Sequence, residues 1–236
     1  MSRFDVIAFD ADDTLWHTER LYVDAQARFV ELLARYHNPQ WIQTRLDETE
    51  GRNLAHFGYG VKAFALSMIE TAVELTEGRI TGGDIQTLIG MAKEMLHADI
   101  ELLDTVAETI PQVAQDYSLM ALTKGDLLDQ ETKINRSGLR QYFQHIEIVS
   151  HKTRASYERV LQAHRLTPSR FLMVGNSLKS DILPVLELGA HAVYVPYEIT
   201  WLHERAEPPP DGHAGYYKIE RLAALPALLA HLEKTA

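Results

Sequence analysis

Three carboxylates lie close together near the start of the chain, in the segment Asp10-Ala11-Asp12-Asp13. They follow the short apolar run Phe4–Phe9, which is typical of a buried strand. Like charges this close disfavour joint ionisation, and a bound divalent cation such as Mg²⁺ would remove that conflict. Taken alone, the cluster is equally compatible with an acidic turn or a helix N-terminus, because Asp caps helices well.

Polar residues suited to phosphate or metal chemistry follow three later apolar runs. Thr123 and Gly125 could present a hydroxyl and a backbone N–H to an anion. Lys152 could meet a phosphoryl group, and Asn176 and Asp181 offer oxygen ligands. Each residue has an ordinary alternative as a cap, a turn residue or a solvated side chain. Their joint occurrence after successive apolar runs indicates one site.

Apolar runs alternate with helical patterns through most of the chain. This alternation predicts an α/β fold with a doubly wound, Rossmann-like parallel sheet covered on both faces. Ligands of such sheets bind beyond the carboxyl ends of the strands, where the polar residues lie. The predicted strands are 4–9, 118–123, 146–149, 170–174 and 191–195, and the predicted helices are 127–137, 155–164, 179–188 and 222–232.

The stretch between the first two predicted strands breaks this alternation. It is helix-like from about Trp16 to Asp116, with helical patterns in 21–36, 60–77 and 82–103. A parallel crossover needs only about a dozen residues. We therefore predict an α-helical cap domain, 16–104, inserted into a core formed by 1–15 and 105–236. The alternative is that all these helices pack on the sheet.

Composition restricts the possible functions. The chain has 236 residues, no cysteine and a formal net charge of -10, so thiolate chemistry is excluded and nucleic-acid binding is disfavoured. No apolar stretch approaches the ~18–20 residues that cross a bilayer, and the N-terminus lacks a signal-peptide pattern. We expect a cytoplasmic protein with no membrane and no nucleic-acid partner. The oligomeric state cannot be inferred from the sequence.

The motifs together resemble those of the haloacid dehalogenase (HAD) superfamily of hydrolases. The segment Phe9-Asp10-Ala11-Asp12-Asp13-Thr14-Leu15-Trp16 carries the most specific likeness, and the segment from Gly175 to Asp181, which opens Gly-Asn-Ser, supports it. Thr123 and Lys152 add weight in that context. The resemblance covers nearly the whole chain, because the insert is similar in position to the α-helical cap of the superfamily's first cap class.

This resemblance implies a Mg²⁺-dependent phosphatase that acts on a small phosphate ester through an aspartyl-phosphate intermediate. Asp10 would be the nucleophile and Asp12 the general acid and base. Thr123 and Lys152 would contact the transferring phosphoryl group. The implied ligands of Mg²⁺ are Asp10, the backbone carbonyl of Asp12, Asp181 and, nearby, Asn176.

Two positions depart from the commonest pattern of the superfamily. Asn176 stands where Asp is frequent, so one full charge is missing, which predicts weaker metal binding. Lys124 stands where Asn is frequent, and we expect it to add a second cation at the mouth of the site. Lys124, Gly125, Trp16 and Arg52 are the predicted substrate-binding residues.

The insert is expected to close over the core and to select the substrate. Arg52 and Asn53 follow Gly51, which suggests a loop between cap helices that faces the core. Each candidate could equally be an ordinary surface residue. The candidate lining residues are Trp16, His17, Arg20, Arg52, Asn53, His56 and Tyr59.

Other activities of the superfamily remain as alternatives. Dehalogenases lack an acidic residue two positions after the nucleophile, so Asp12 argues against dehalogenation. A phosphonatase needs an amine, and neither Lys62 nor Lys93 stands out in the insert. A phosphomutase and a non-catalytic binding protein on the same fold stay open.

Overall fold

A single parallel sheet of six strands organises the larger part of the molecule. The computed structural model describes residues 2–210 and 212–235. Within them the strand order is β3-β2-β1-β4-β5-β6, and all neighbouring pairs are parallel. The strands are β1 (Val6–Phe9), β2 (Ser118–Lys124), β3 (Phe143–Val149), β4 (Phe171–Gly175), β5 (His191–Tyr194) and β6 (Tyr216–Lys218).

Nine α-helices lie between and after these strands in the described part of the chain. The first four are α1 (Glu19–Leu33), α2 (Pro39–Phe57), α3 (Val61–Leu75) and α4 (Gly82–His97). The remaining five are α5 (Val106–Val113), α6 (Leu127–Arg136), α7 (Arg154–Ala163), α8 (Leu183–Leu186) and α9 (Leu225–Lys234). No helix among the described residues is long and apolar enough to cross a membrane.

β1 lies inside the sheet and is buried along its whole length. Its side chains alternate between two hydrophobic clusters, as the period of two of a strand requires. Ile7 and Phe9 belong to the cluster that includes residues of α5 and α9, whereas Val6 and Ala8 belong to the cluster that includes residues of α7 and α8. Both faces of the sheet are therefore covered, and the predicted α/β doubly wound fold is confirmed.

Several predicted elements differ in detail from those observed. β6 was not predicted, because its three residues, Tyr-Tyr-Lys, are too few to show a pattern. β3 begins at Phe143 rather than 146. The predicted helix 179–188 is instead a π-helical turn, Leu178–Ile182, followed by the short α8.

The helical insert has its own hydrophobic core. Buried side chains of α1, α2, α3 and α4 form one cluster, which includes Phe29, Leu46 and Met68. Local signals fix the helix starts: Asn38 accepts from the backbone N–H of Trp41 ahead of α2, and Thr81 forms a capping box with Asp84 at the start of α4.

The expected loop at Arg52 and Asn53 is wrong, because both residues lie inside α2. A glycine in a helix costs only about 1 kcal/mol relative to alanine, so Gly51 does not end a helix anchored by Ile42 and Leu46. The predicted helix 82–103 likewise stops earlier, at His97.

The chain separates into two compact units. One comprises Met1–His17, Ile100–Lys124 and Gln130–Ala236, and the other comprises Thr18–Asp99 and Gly125–Asp129. The functional division of the chain into a core and a cap remains a prediction.

Candidate active site

Asp10 lies directly after β1, where its backbone N–H donates to the carbonyl of Val174 at 2.9 Å. Its carboxylate is nearly buried, with 7% of the residue exposed. The ammonium of Lys152 binds one oxygen, Oδ1, and the hydroxyl of Thr14 lies 3.4 Å from the other, Oδ2. Because that second contact is long, Oδ2 keeps lone pairs available for a further partner.

Lys152 connects two carboxylates that come from different strand ends. It follows β3, and its Nζ donates to Asp10 and, at 2.7 Å, to Oδ1 of Asp181. Burial would lower the pKa of Lys152, but the two carboxylates outweigh burial and raise it. Burial and the charge of Asp181 raise the pKa of Asp10, and Lys152 opposes them only in part. This trio carries one more negative charge than positive charge when all three groups are ionised.

Asp181 is held in place by the turn between β4 and α8. Its Oδ2 accepts the backbone N–H of Ser177 at 3.0 Å, and none of its surface is exposed. A Cβ at Gly175 would lie 2.3 Å from that same oxygen. Only glycine therefore fits at the end of β4, which gives a physical reason for the Gly-Asn-Ser sequence.

Asn176 reaches the same group of residues through Thr14, whose hydroxyl lies 3.1 Å from its Oδ1. No group of three or more His, Cys, Asp or Glu side chains in the described residues has metal-binding geometry. The predicted set contains only two close carboxylate side chains, Asp10 and Asp181, beside an amide and a backbone carbonyl. One or two carboxylates with further oxygen donors suit Mg²⁺, so the donor chemistry fits that ion.

Asp12 points to a different set of partners. Its Oδ1 accepts from Trp16 Nε1 at 2.9 Å and from Lys133 Nζ at 2.7 Å. Its Oδ2 accepts from Gln130 Nε2 at 2.7 Å and from Lys133 at 2.9 Å. The neighbouring Asp13 adopts a left-handed backbone, with φ 61°. The acidic cluster is thus divided, with Asp10 and Asp12 bound by separate lysines.

Sequence reasoning missed both Gln130 and Lys133. Their spacing of three residues on a helix after β2 was a weak signal, because such a pair places both side chains on one helix face. Nothing in the sequence shows that this face meets Asp12, which is more than a hundred positions away.

The residues at the end of β2 lie in two environments. Thr123 is buried, with 1% of its surface exposed. Gly125 has φ 139°, a conformation that few other residues adopt. The ammonium of Lys124 contacts Ser180 Oγ at 2.8 Å and the carboxylate of Glu204. Its charge is therefore matched by an acid that the sequence did not single out.

Glu204 gathers three donors at the end of a 3₁₀ turn, Leu202–Glu204. Besides Lys124, it accepts the hydroxyls of Ser177 at 2.5 Å and Ser180 at 2.6 Å. Burial would raise the pKa of Glu204, but Lys124 and the two hydroxyls lower it below its ordinary value. Glu204 thus joins the end of β2 to the turn that carries Asp181.

The predicted substrate-lining residues occur in both compact units, and several of them have partners within their own unit. Trp16 is 1% exposed and belongs to the core beside the sheet, and His17 Nδ1 lies 2.7 Å from the hydroxyl of Tyr197. Arg52 contacts Glu74 at 3.2 Å, and Asn53 donates to Glu70 at 2.8 Å. Three further candidates are exposed or half-buried: Arg20, His56 and Tyr59.

The amino-acid sequence and the fold both match a known protein family. The model of the haloacid dehalogenase-like hydrolase family matches residues 4–189, which is more than half of the chain. This chain belongs to that family. The resemblance inferred from the motifs is therefore confirmed, and the protein is a hydrolase.

Individual relatives agree with this membership. A solved haloacid dehalogenase-like family hydrolase from Xanthomonas campestris is 39% identical, with a TM-score of 0.88 over 99% of this chain and 93% of that chain. Glyceraldehyde 3-phosphate phosphatase of Pyrococcus furiosus is 27% identical over 84% of this chain and 82% of the relative. N-acylneuraminate-9-phosphatase of Mus musculus is 23% identical over 99% of this chain and 96% of the relative. The named curated relatives support a phosphatase as the class of hydrolase.

Proposed function

We propose that this protein is a Mg²⁺-dependent phosphatase that hydrolyses small phosphate monoesters through an aspartyl-phosphate on Asp10. The observation that carries the proposal is the buried Lys152 ammonium between Asp10 and Asp181, at the carboxyl ends of β1, β3 and β4. A reactive carboxylate, a fixed cation and hard oxygen donors meet there, as phosphoryl transfer requires.

In the first step, Asp10 attacks phosphorus while the ester oxygen leaves. Asp12 donates a proton to that oxygen, so the alcohol departs neutral and the phosphoryl group stays on Asp10. Lys152 holds Asp10 in place and offsets negative charge, and the Thr123 hydroxyl at the end of β2 binds a phosphoryl oxygen.

In the second step, Asp12 removes a proton from water, and the water oxygen attacks phosphorus. The acyl phosphate bond breaks, which releases inorganic phosphate and restores Asp10. Mg²⁺, held by Asp10, Asp181, Asn176 and the Asp12 carbonyl, would supply further positive charge for the phosphoryl oxygens.

Asp12 also favours phosphoryl transfer over dehalogenation, because loss of a halide needs no protonated leaving group.

We further propose that 1–15 and 105–236 form the catalytic core and that 16–104 form a cap that selects the substrate. Lys124 at the end of β2 and Gly125 directly after it, with Trp16 and Arg52, stay as proposed substrate-binding residues.

The test is release of inorganic phosphate from a panel of phosphate monoesters, with and without Mg²⁺. The panel includes glyceraldehyde 3-phosphate and N-acylneuraminate 9-phosphate, after the names of two relatives. We expect Asp10→Asn to lower kcat by at least about 10³-fold, because the nucleophile is lost. The matched control is Asp116→Asn, an exposed acid after α5, which should keep wild-type activity.

A wild-type protein as inert as Asp10→Asn on the whole panel would contradict the proposed function. Equal activity after complete removal of Mg²⁺ would contradict the proposed cofactor while leaving the phosphatase assignment intact.

A further inference from the structure

The side chain of Asp12 is bound on both carboxylate oxygens by groups from two segments of the chain. Trp16 binds from the turn after β1, and Gln130 and Lys133 bind from α6. Lys133 Nζ lies 2.7 Å from Oδ1 and 2.9 Å from Oδ2, so it contacts the whole carboxylate. Yet this carboxylate is less enclosed than that of Asp10, with 26% of its side chain exposed against 11%.

Gln130 occupies its buried position at an energetic cost. Only 2% of the residue is exposed, and its Nε2 donates to Asp12 at 2.7 Å and to the Lys124 carbonyl at 3.1 Å. Its Oε1 has no hydrogen-bond partner among the described residues. A buried unpaired acceptor destabilises the folded state, so stability alone does not explain an amide at this position.

We propose that Gln130 and Lys133 are positioning residues that hold the Asp12 carboxyl group in the orientation from which it serves the leaving oxygen. This inference rests on the proposed phosphatase function. A free Asp side chain rotates about two bonds, whereas proton transfer needs a heavy-atom separation of about 2.6–3.2 Å. Hydrogen-bond donors on both carboxylate oxygens restrict those two rotations. Because Gln130 and Lys133 lie on a helix, α6, their own positions are fixed as well.

The competing explanation is structural: the same contacts could only attach α6 to the turn after β1. The two explanations predict that the loss of activity in Gln130 and Lys133 variants depends on the substrate in different ways. A mispositioned acid slows esters whose leaving oxygen is strongly basic, and it matters little for p-nitrophenol, which leaves readily without a proton. A merely structural defect lowers activity on both kinds of ester alike.

The experiment compares kcat/KM for p-nitrophenyl phosphate and phenyl phosphate in Lys133→Met and Gln130→Met. We expect Lys133→Met to lose about 10–100-fold on phenyl phosphate, up to the lower end of what general acid catalysis contributes, because the acid is misplaced and not removed. The loss on p-nitrophenyl phosphate should be less than about threefold. Lys133→Arg should recover part of the loss, because guanidinium also binds both carboxylate oxygens. The matched control, Glu131→Met, changes an exposed charge on α6 and should leave both values unchanged.

A double-mutant cycle isolates the coupling to Asp12. In an Asp12→Ala background, Lys133→Met should cause no further loss on phenyl phosphate. Additive losses in the double variant, or equal losses on both esters in the single variants, would overturn the positioning role. The phosphatase proposal would still hold in that case, provided that the wild-type protein hydrolyses the esters. A wild type inert on every ester would instead overturn the proposed function itself. Should Lys133→Met fail to fold, Gln130→Met in the same cycle decides the question.

Discussion

Glu204 shows how one side chain can support a site without belonging to its chemistry. It binds Lys124, Ser177 and Ser180; Ser177 precedes the turn that presents Asp181, and Ser180 lies within that turn. Lys124 therefore has an acidic partner in this structure, in addition to any role at the mouth of the site. A cation so close to a carboxylate offers less charge to a phosphate ester than the sequence suggested.

We expect Glu204→Ala to lower the free energy of unfolding by about 2–4 kcal/mol, because a largely buried cation and two hydroxyls lose their acceptor. Glu204→Gln should lose less, since the amide oxygen still accepts from serine. Urea unfolding measures both changes. Glu207→Ala, an exposed control three positions on, should stay within about 0.5 kcal/mol of wild type, and an equal effect there would contradict the role of Glu204.

Among the secondary-structure elements, the turn between β4 and α8 positions Asp181, one of the two carboxylates that bind Lys152. β4 ends at Gly175, the π-helical turn follows, and Asp181 folds back over the end of the strand. Neither the strand nor the turn alone positions Asp181, because the carboxylate occupies the space that a side chain at Gly175 would fill.

Gly175→Ala should therefore displace Asp181 and lower kcat on phosphate esters by about 10²-fold, the loss expected from a misplacement of about 1 Å. The fold should persist, as circular dichroism would show. Gly90→Ala is the matched control: Gly90 lies in α4 with nothing within 4 Å of an added Cβ. That change should keep activity and add up to about 1 kcal/mol of stability. Unchanged activity in Gly175→Ala would show that the turn adapts.

At the scale of the whole molecule, stability should depend on pH through an acid far from Asp10 in sequence. Glu50 lies on α2, is 7% exposed, and its Oε2 has no hydrogen-bond partner among the described residues. Burial, with smaller contributions from the charges of Asp47 and Glu19, raises the pKa of Glu50 to about 8. The folded protein therefore keeps a proton that the unfolded chain loses above pH 4.5.

Because the native state binds the extra proton, the free energy of unfolding falls as pH rises from 4.5 to about 8. The fall due to Glu50 is up to about 1.4 kcal/mol per pH unit. Glu50→Gln removes it, so the variant should match wild type near pH 4, become increasingly more stable than wild type up to about pH 8, and keep that difference at pH 9. Urea unfolding across this range measures the difference. Glu77→Gln, an exposed control, should follow wild type, and a Glu50→Gln difference that is constant with pH would refute the assignment.

The fold class, the family resemblance and the grouping of Asp10 with Lys152 and Asp181 could all be predicted from the sequence alone. Buried strands such as Val6–Phe9 are continuous apolar runs, and the carboxyl ends of parallel strands meet at one edge, so local patterns suffice to bring Asp10, Lys152 and Asp181 together. Helix N-termini at Asn38 and Thr81 are set by local capping, which the sequence also carries.

The side chains that surround Asp12 and Lys124 could be identified only from the folded protein. The contacts of Gln130, Lys133 and Glu204 join positions that lie far apart in the chain, and their existence depends on how α6 and the turn after β5 pack. A lysine or glutamate in a helix or loop looks the same in sequence whether it faces solvent or a buried carboxylate. Tertiary packing decides whether such a side chain faces solvent or a buried carboxylate, because burying a charge is favourable only beside a partner that pairs with it.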